Sequence, residues 1–269
     1  MPELPEVETV RRQLHRGLAG KTMRSVELLK SGREKPVGRY FVKAIVGKTI
    51  DRVERRAKLL VFRFQDGTAM TAHLKMTGKF VFVDAEYKPS KHDRMIFEVD
   101  DTRLVWSDVR QFGFVHLVSA GELEDILSKY GPEPLPSTAE QLAERIVLPK
   151  TRLIKAALLN QEVIAGVGNI YADEACHRAG IRPMRRLGEM GAEERLNLMK
   201  HLKELLDEAV KQRGTSANDY VDTEGKKGGF LSLLRVYGRA GEKCLNCGGV
   251  IKKIVLVQRG THYCEGCQK

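Results

Sequence analysis

Two cysteine pairs close the chain, Cys244 with Cys247 and Cys264 with Cys267, and sixteen residues separate them. Two such knuckles at this distance can set four thiolates tetrahedrally around one zinc ion. A segment as short as 235–269 has no room for a hydrophobic core, so metal binding has to supply its folding energy. Four thiolates leave no coordination position open, which makes the expected ion structural, one Zn2+ per chain. Gly248, Gly249 and Gly266 permit the tight turns at the knuckles. A redox pair is the remaining reading of the motif. The fifth cysteine, Cys176, lies in an Ala-rich helical stretch and reads as a small buried hydrophobe.

The rest of the chain needs a core of its own. At 269 residues, 42% hydrophobic and 30% charged, it has the length for two or three domains and is not of disordered type. No apolar run approaches the ~20 residues of a membrane helix. Glu3, Glu6 and Glu8 occupy the place where a signal peptide carries basic and apolar residues. A soluble cytoplasmic protein with no membrane partner is the expectation. Lys plus Arg number 46 against 35 Asp plus Glu, a net charge of +11. The excess is concentrated: residues 225–269 hold nine Lys or Arg against Glu242 and Glu265. A field of this sign favours a polyanionic partner, although a basic solvated surface has the same composition.

The hydrophobic period changes along the chain. Leu4, Val7, Val10, Leu14 and Leu18 recur at three and four, which predicts a helix over 2–18, with Pro2 at its start. From Lys21 to about Val118 the period is two. Leu59–Phe64, an Asp66-Gly67 turn and the run from Ala69 read as a hairpin. Phe80–Val83, Met95–Val99 and Arg103–Trp106 continue the pattern, and many short strands argue for a β-sandwich or barrel. The Pro-rich stretch Gly131–Ser137 marks a boundary. Helical patterns follow near 138–146, 151–160, 169–179 and 191–213, with a tight Gly-rich turn before Asn169. Residues 214–234 read as a long mobile loop. The fold class is α+β and multi-domain, with divisions at 1–132, 133–234 and 235–269.

If the initiator Met is removed, the chain opens with the secondary amine of Pro2. The ordinary pKa of an α-amino group is near ~7.7–8, so part of it is neutral at physiological pH and can attack an electrophilic carbon. Glu3 is adjacent and Glu6 is one turn on. Paired carboxylates beside an amine can move protons at a leaving group. Pro and Glu are equally what a helix start favours, so pattern alone leaves both readings open.

The opening Pro2-Glu3-Leu4-Pro5-Glu6-Val7-Glu8-Thr9 resembles that of the bacterial formamidopyrimidine-DNA glycosylases. The resemblance runs through the whole chain. It takes in Arg55-Arg56-Ala57-Lys58, His73-Leu74-Lys75-Met76-Thr77-Gly78, Lys91-His92-Asp93 and Gly131-Pro132-Glu133-Pro134-Leu135. It continues through Gly166-Val167-Gly168-Asn169-Ile170-Tyr171-Ala172, Val236-Tyr237-Gly238-Arg239, Gln258-Arg259 and the four cysteines. Several motifs in one order are far more specific than any single motif.

The resemblance implies an N-terminal helix with a β-sandwich, a helix–two-turn–helix domain, a zinc finger and DNA in the cleft. It implies excision of oxidised purines, 8-oxoguanine and formamidopyrimidines, followed by β,δ-elimination at the abasic site. Pro2 is then the nucleophile that forms a Schiff base, Glu3 the general acid, and Glu6 the residue that orients the N-terminus. Lys58 is a proton donor for strand cleavage, and Arg259 a phosphate clamp, the role for which a guanidinium is better suited than for acid catalysis. Met76, Arg110 and Phe112 match the side chains that fill the gap left by the extruded base. His92, Lys150 and Asn169 match contacts to the DNA backbone, and residues 215–231 the loop that covers the extruded purine. The partner implied is double-stranded DNA with oxidised bases or abasic sites, bound by a monomer. Around the wedge the chain reads Asp108-Val109-Arg110-Gln111-Phe112-Gly113, where many relatives have Pro and Arg in place of Val109 and Gln111; this puts the rigidity of the loop and one phosphate contact in question. An endonuclease VIII-type enzyme for oxidised pyrimidines and a non-catalytic damaged-DNA-binding relative are the rivals. Leu4, Arg110 and Phe112 favour the purine enzyme, and Pro2, Glu3 and Lys58 favour catalysis.

Overall fold

The computed structural model of the chain describes residues 1–29, 39–217 and 219–269. Residues 30–38 of the period-two region and residue 218 of the expected lesion-covering loop lie outside the described residues. The chain divides into two compact units, Met1–Ser128 with Gln212–Gly229, and Lys129–Lys211 with Phe230–Lys269. Residues 212–229 thus group with the first unit, and the cysteine-bearing C-terminus with the second.

The first unit opens with α1, Leu4–Leu18. Its apolar stripe is the expected one, with Leu4, Val7, Val10, Leu14 and Leu18 all fully buried. The helix begins later than residue 2: Glu3 is its N-cap and Pro5 lies in its first turn. Eight strands follow: β1 Met23–Leu28, β2 Ile50–Arg56, β3 Leu59–Phe64, β4 Ala69–His73, β5 Gly78–Val83, β6 Asp93–Val99, β7 Thr102–Asp108 and β8 Phe114–Val118. They form two four-stranded antiparallel sheets, in the orders β1-β6-β7-β5 and β2-β3-β4-β8. The sheets share one core, in which Phe62 of β3 meets Phe80 of β5 edge to face at 5.6 Å between ring centroids. The β3–β4 hairpin turns at Gly67, whose φ of +85° suits a residue without a Cβ.

Two helices interrupt the period-two region and its exit. The first is α2, Arg39–Ile45, and the second α3, Ala120–Ser128. The latter explains why Leu59 to Phe62 are buried without alternation. Leu60 and Phe62 face the core between the sheets, whereas Leu59 and Val61 pack with Leu123 of α3 on the other side. A strand covered on both faces reads as a continuous apolar run.

Of the loop expected over 214–234, Phe230–Leu233 forms a short 3-10 helix; the described residues of 214–229 carry one isolated bridge, Thr215 to Gly229, and are not devoid of buried contacts. Asp222 and Thr223 are fully buried, and the Phe82 backbone N–H donates to the Thr223 carbonyl at 2.9 Å.

The second unit contains α4 Ala139–Ala143, α5 Ile154–Leu159, α6 Asn169–Arg178 and α7 Ala192–Lys211, each inside its expected range. The chain ends in a two-stranded hairpin, β9 Ile251–Leu256 and β10 Arg259–Cys264. Cys176 of α6 is fully buried, as read from the sequence. No described helix is long and apolar enough to cross a membrane.

Candidate nucleic-acid interface and metal centre

The α1 N-terminus is built by a carboxylate that bonds in two directions. The Glu3 backbone N–H donates to Glu6 Oε2 at 2.7 Å, and the Thr215 N–H donates to Glu6 Oε1, also at 2.7 Å. Glu6 is 1% exposed, and Gly214, with φ of +81°, passes so close that a Cβ there would lie 2.5 Å from Glu6 Oε1. Glu3 and Pro2 are buried beside it. The structure thus gathers Pro2, Glu3 and Glu6 at one helix start.

Lys58 sits at the tip of the β2–β3 hairpin, where Arg56 pairs with Leu59 and Ala57 takes the left-handed conformation at φ +53°. Despite this position it is 7% exposed. Arg55 ties the tip to α1: its Nε donates to Glu8 Oε2 at 3.1 Å and its Nη1 to the Ala57 carbonyl at 2.8 Å. Burial pushes the Glu8 carboxyl up, but Arg11, Arg55 and Arg12 outweigh it and hold the group below its ordinary range. His73, at the end of β4, accepts the Lys75 N–H on Nδ1 at 3.0 Å. Burial, with Lys75 and Lys58 adding positive charge, lowers its pKa to about 3, so the ring is neutral.

Met76, Arg110 and Phe112 stand exposed on the loops before β5 and before β8. The Arg110 guanidinium lies over the Phe112 ring at 4.9 Å. His92 is half-buried, and its carbonyl accepts the Asp108 N–H at 3.0 Å, so it adjoins the end of β7, from which the Arg110 loop departs.

In the second unit one face of α6 holds the zinc hairpin. Asn169 Nδ2 donates to the Gly260 carbonyl at 2.9 Å, next to Arg259. Lys155, wholly buried, donates from Nζ to Asp173 Oδ1 at 2.6 Å and to Thr261 Oγ1 at 2.7 Å, and Asp173 Oδ2 accepts the His262 N–H at 2.8 Å. Glu174 accepts the backbone N–H groups of Arg235, Val236 and Tyr237. Arg259 itself is exposed at the hairpin tip, after Val257 and Gln258 in left-handed conformations. Lys150 is exposed in the connection before α5, where its carbonyl accepts the Gly188 N–H at 2.8 Å.

The four cysteines converge. Their sulfurs all lie within 4.8 Å of one another, with 3.6 Å between Cys244 and Cys267 and 3.4 Å between Cys247 and Cys264. A tetrahedron with Zn–S bonds of about 2.3 Å has edges of about 3.8 Å, so the donor set fits one zinc ion. A Cβ at position 266 would come within 3.0 Å of the Cys247 sulfur, which is why that turn needs glycine. His177 of α6 places Nε2 3.7 Å from the Cys244 sulfur, tying the centre to the helix.

An N-terminal helix on paired sheets, a helical unit and a four-cysteine hairpin gripped by α6 define a class of multi-domain zinc proteins. Comparison with known proteins resolves the class. The formamidopyrimidine-DNA glycosylase N-terminal domain matches residues 1–115, the formamidopyrimidine-DNA glycosylase H2TH domain residues 130–220, and the zinc finger found in FPG and IleRS residues 241–269. The formamidopyrimidine-DNA glycosylase of Desulforamulus reducens is 40% identical, covering 100% of this chain and 99% of that protein. The Lactococcus lactis protein in complex with Fapy-dG containing DNA superposes with a TM-score of 0.89 at 34% identity, over 99% of this chain and 100% of the other. Its complex with abasic-site DNA gives 0.90 at 34% identity, over 99% of both chains. The chain belongs to the formamidopyrimidine-DNA glycosylase family.

Sequence reasoning assigned no role to Asp108, Arg55, Lys155, Asp173, Glu174 or His177. Asp108 and Arg55 stood inside quoted motifs, and Lys155, Asp173, Glu174 and His177 are polar residues with partners far away in sequence.

Proposed function

We propose that this chain excises oxidised purines from double-stranded DNA and then cuts the strand at the resulting abasic site. The observation that carries the reading is the cluster of Pro2, Glu3 and Glu6, a terminal residue buried beside two carboxylates of which one is fixed from both sides. The Pro2 nitrogen, freed by removal of Met1, attacks the anomeric carbon of the damaged nucleotide. The bond to the base breaks, and Glu3 supplies a proton as the sugar ring opens to the imine. Glu6 holds the N-terminus in place. Loss of the 3′ and then the 5′ phosphate by elimination, with Lys58 as proton donor, frees the sugar from the DNA, and water hydrolyses the iminium to release the sugar fragment as an aldehyde and regenerate the Pro2 amine.

Arg259, Asn169, Lys150 and His92 grip DNA phosphates, and Met76, Arg110 and Phe112 fill the vacated stack. The zinc, held by Cys244, Cys247, Cys264 and Cys267, stabilises the hairpin that carries Arg259 and takes no part in the chemistry. The protein acts as a cytoplasmic monomer, and residues 215–231 face the extruded base. Duplex DNA carrying 8-oxoguanine opposite C tests the reading. Release of the oxidised base with a nick at the same position is expected; binding without release would favour the non-catalytic relative, and release only from oxidised pyrimidines the endonuclease VIII-type enzyme.

A further inference from the structure

The three gap-filling side chains stand on two loops, and what joins the loops lies beneath them. Asp108, the last residue of β7, is 1% exposed. Its Oδ1 accepts the Thr77 hydroxyl, next to Met76, and the Arg110 N–H at 3.2 Å. Its Oδ2 accepts the Gly113 N–H at 2.7 Å, just after Phe112. The Arg110 N–H is shared with Thr77 Oγ1 at 2.9 Å, which closes a ring of bonds across the two loops. The main chain of Asp108 is equally engaged: its N–H donates to the His92 carbonyl, and its own carbonyl accepts Arg94 Nη2 at 3.0 Å.

Trp106 forms the floor. Gly78 follows the Met76 turn and Gly113 follows Phe112, and a Cβ at either would lie 2.6 Å from a carbon of the Trp106 indole. Both loops therefore pass close against the same indole at a glycine. Lys75 and Gln111 are left-handed, at φ +50° and +60°, so each loop is bent sharply at the residue beside its wedge side chain.

We infer that Asp108 is a positioning residue that locks the Met76 turn and the Arg110–Phe112 loop into one preformed wedge. The inference rests on the gap-filling reading above. Extruding a paired base is unfavourable, and ordering a free loop adds a conformational-entropy cost. A wedge already rigid before it meets DNA avoids the second cost. The carboxylate suits the task because each oxygen serves a different set of donors. An amide has one acceptor oxygen and turns its N–H2 toward donors on the other side.

The test compares wild type with Asp108→Asn, Thr77→Val and Phe112→Ala in the full-length zinc-loaded protein. Single-turnover rates are read for 8-oxoguanine excision from a duplex and for cleavage of a preformed abasic site. Because hydrogen bonds to a charged group contribute about 1.5–3 kcal/mol, Asp108→Asn is expected to slow excision about tenfold or more and abasic cleavage by no more than about threefold. Acrylamide quenching of Trp106, the only tryptophan, is expected to rise as the loops lift from the indole. Equal losses on both substrates would overturn the inference, since a general loss of fold does not separate them. A split in Phe112→Ala with none in Asp108→Asn would overturn it while leaving the gap-filling reading intact. No split in Phe112→Ala would sink that reading and the inference with it. Should Asp108→Asn fail to fold, Thr77→Val decides, because it removes only the link between loops: a smaller split in the same direction supports the wedge, and wild-type rates on both substrates contradict it.

Discussion

Glu6 accepts the Thr215 N–H at 2.7 Å across a sequence separation of 209 residues. The bond fastens the start of the first helix to a segment that follows the last one, and Gln13 repeats the link about two turns further along the same face by accepting the Thr223 N–H at 3.0 Å. The nucleophile proposed for this enzyme thus sits at a helix start whose position depends on residues 212–229.

Replacing Glu6 by Ala removes an acceptor from two buried N–H groups. Charge-assisted bonds of this kind contribute about 1.5–3 kcal/mol each, so the urea midpoint should fall clearly. Glu6→Gln keeps one acceptor oxygen and should lose less. The comparison to make is equilibrium unfolding of both variants with wild type; identical stabilities would show that the two N–H groups find other partners.

His73 gives the stability a pH signature. Its pKa, lowered to about 3 by burial and by Lys75 and Lys58, is below the ordinary 6.5. Between these values the unfolded chain binds a proton that the folded protein does not, so stability falls as the pH is lowered from 6.5 toward 3. His73→Asn, which keeps a side-chain acceptor for the Lys75 N–H, should flatten that slope. Denaturation midpoints across this range measure it, and an unchanged slope would remove His73 as a contributor.

The sequence made the ligands of the zinc legible because their spacing is local, and it made α1 legible because a helix repeats every 3.6 residues. Asp66-Gly67 likewise marked its hairpin. The roles of Lys155, Asp173 and Glu174 were not legible: a lysine is ordinarily a surface residue, and its burial here follows from partners 18 and 106 residues away. Helix α3 was missed although its signals are local: Leu123, Ile126 and Leu127 recur at three and four on the face that covers Leu59 and Val61, and Ser119 and Glu122 bond reciprocally at its start. Residues 214–234 read as a loop by composition, which expresses neither the long-range hydrogen bonds of Thr215 and Thr223 to α1 nor the packing of Tyr220 against the core.

Lys155 and Asp173 form an ion pair with both side chains wholly buried. Lys155→Met leaves Asp173 a buried charge without its cation, and breaking such a pair costs about 3–5 kcal/mol. Because Thr261 and the Gly260 carbonyl lose the same partner, the Arg259 hairpin should loosen as well. Reduced stability together with faster amide exchange across β10 is expected. Stability lost with no change in that exchange would limit Lys155 to the helical core.

For the zinc centre, Cys264→Ser should lose both the metal and most of the DNA affinity, since the four thiolates hold the hairpin that aims Arg259. Metal content and binding to an abasic-site duplex are measured on the same preparation. Full affinity in a demonstrably zinc-free protein would break the link.

The proposed chemistry turns on the Pro2 nitrogen as nucleophile. Borohydride reduction during reaction with 8-oxoguanine duplex DNA, followed by peptide mapping of the adduct, tests it directly, with a variant carrying one extra N-terminal residue alongside. A stable protein–DNA adduct mapped to Pro2, absent from the extended variant, is the predicted result. An adduct that persists in the extended variant, or that maps to Lys58, would contradict the account.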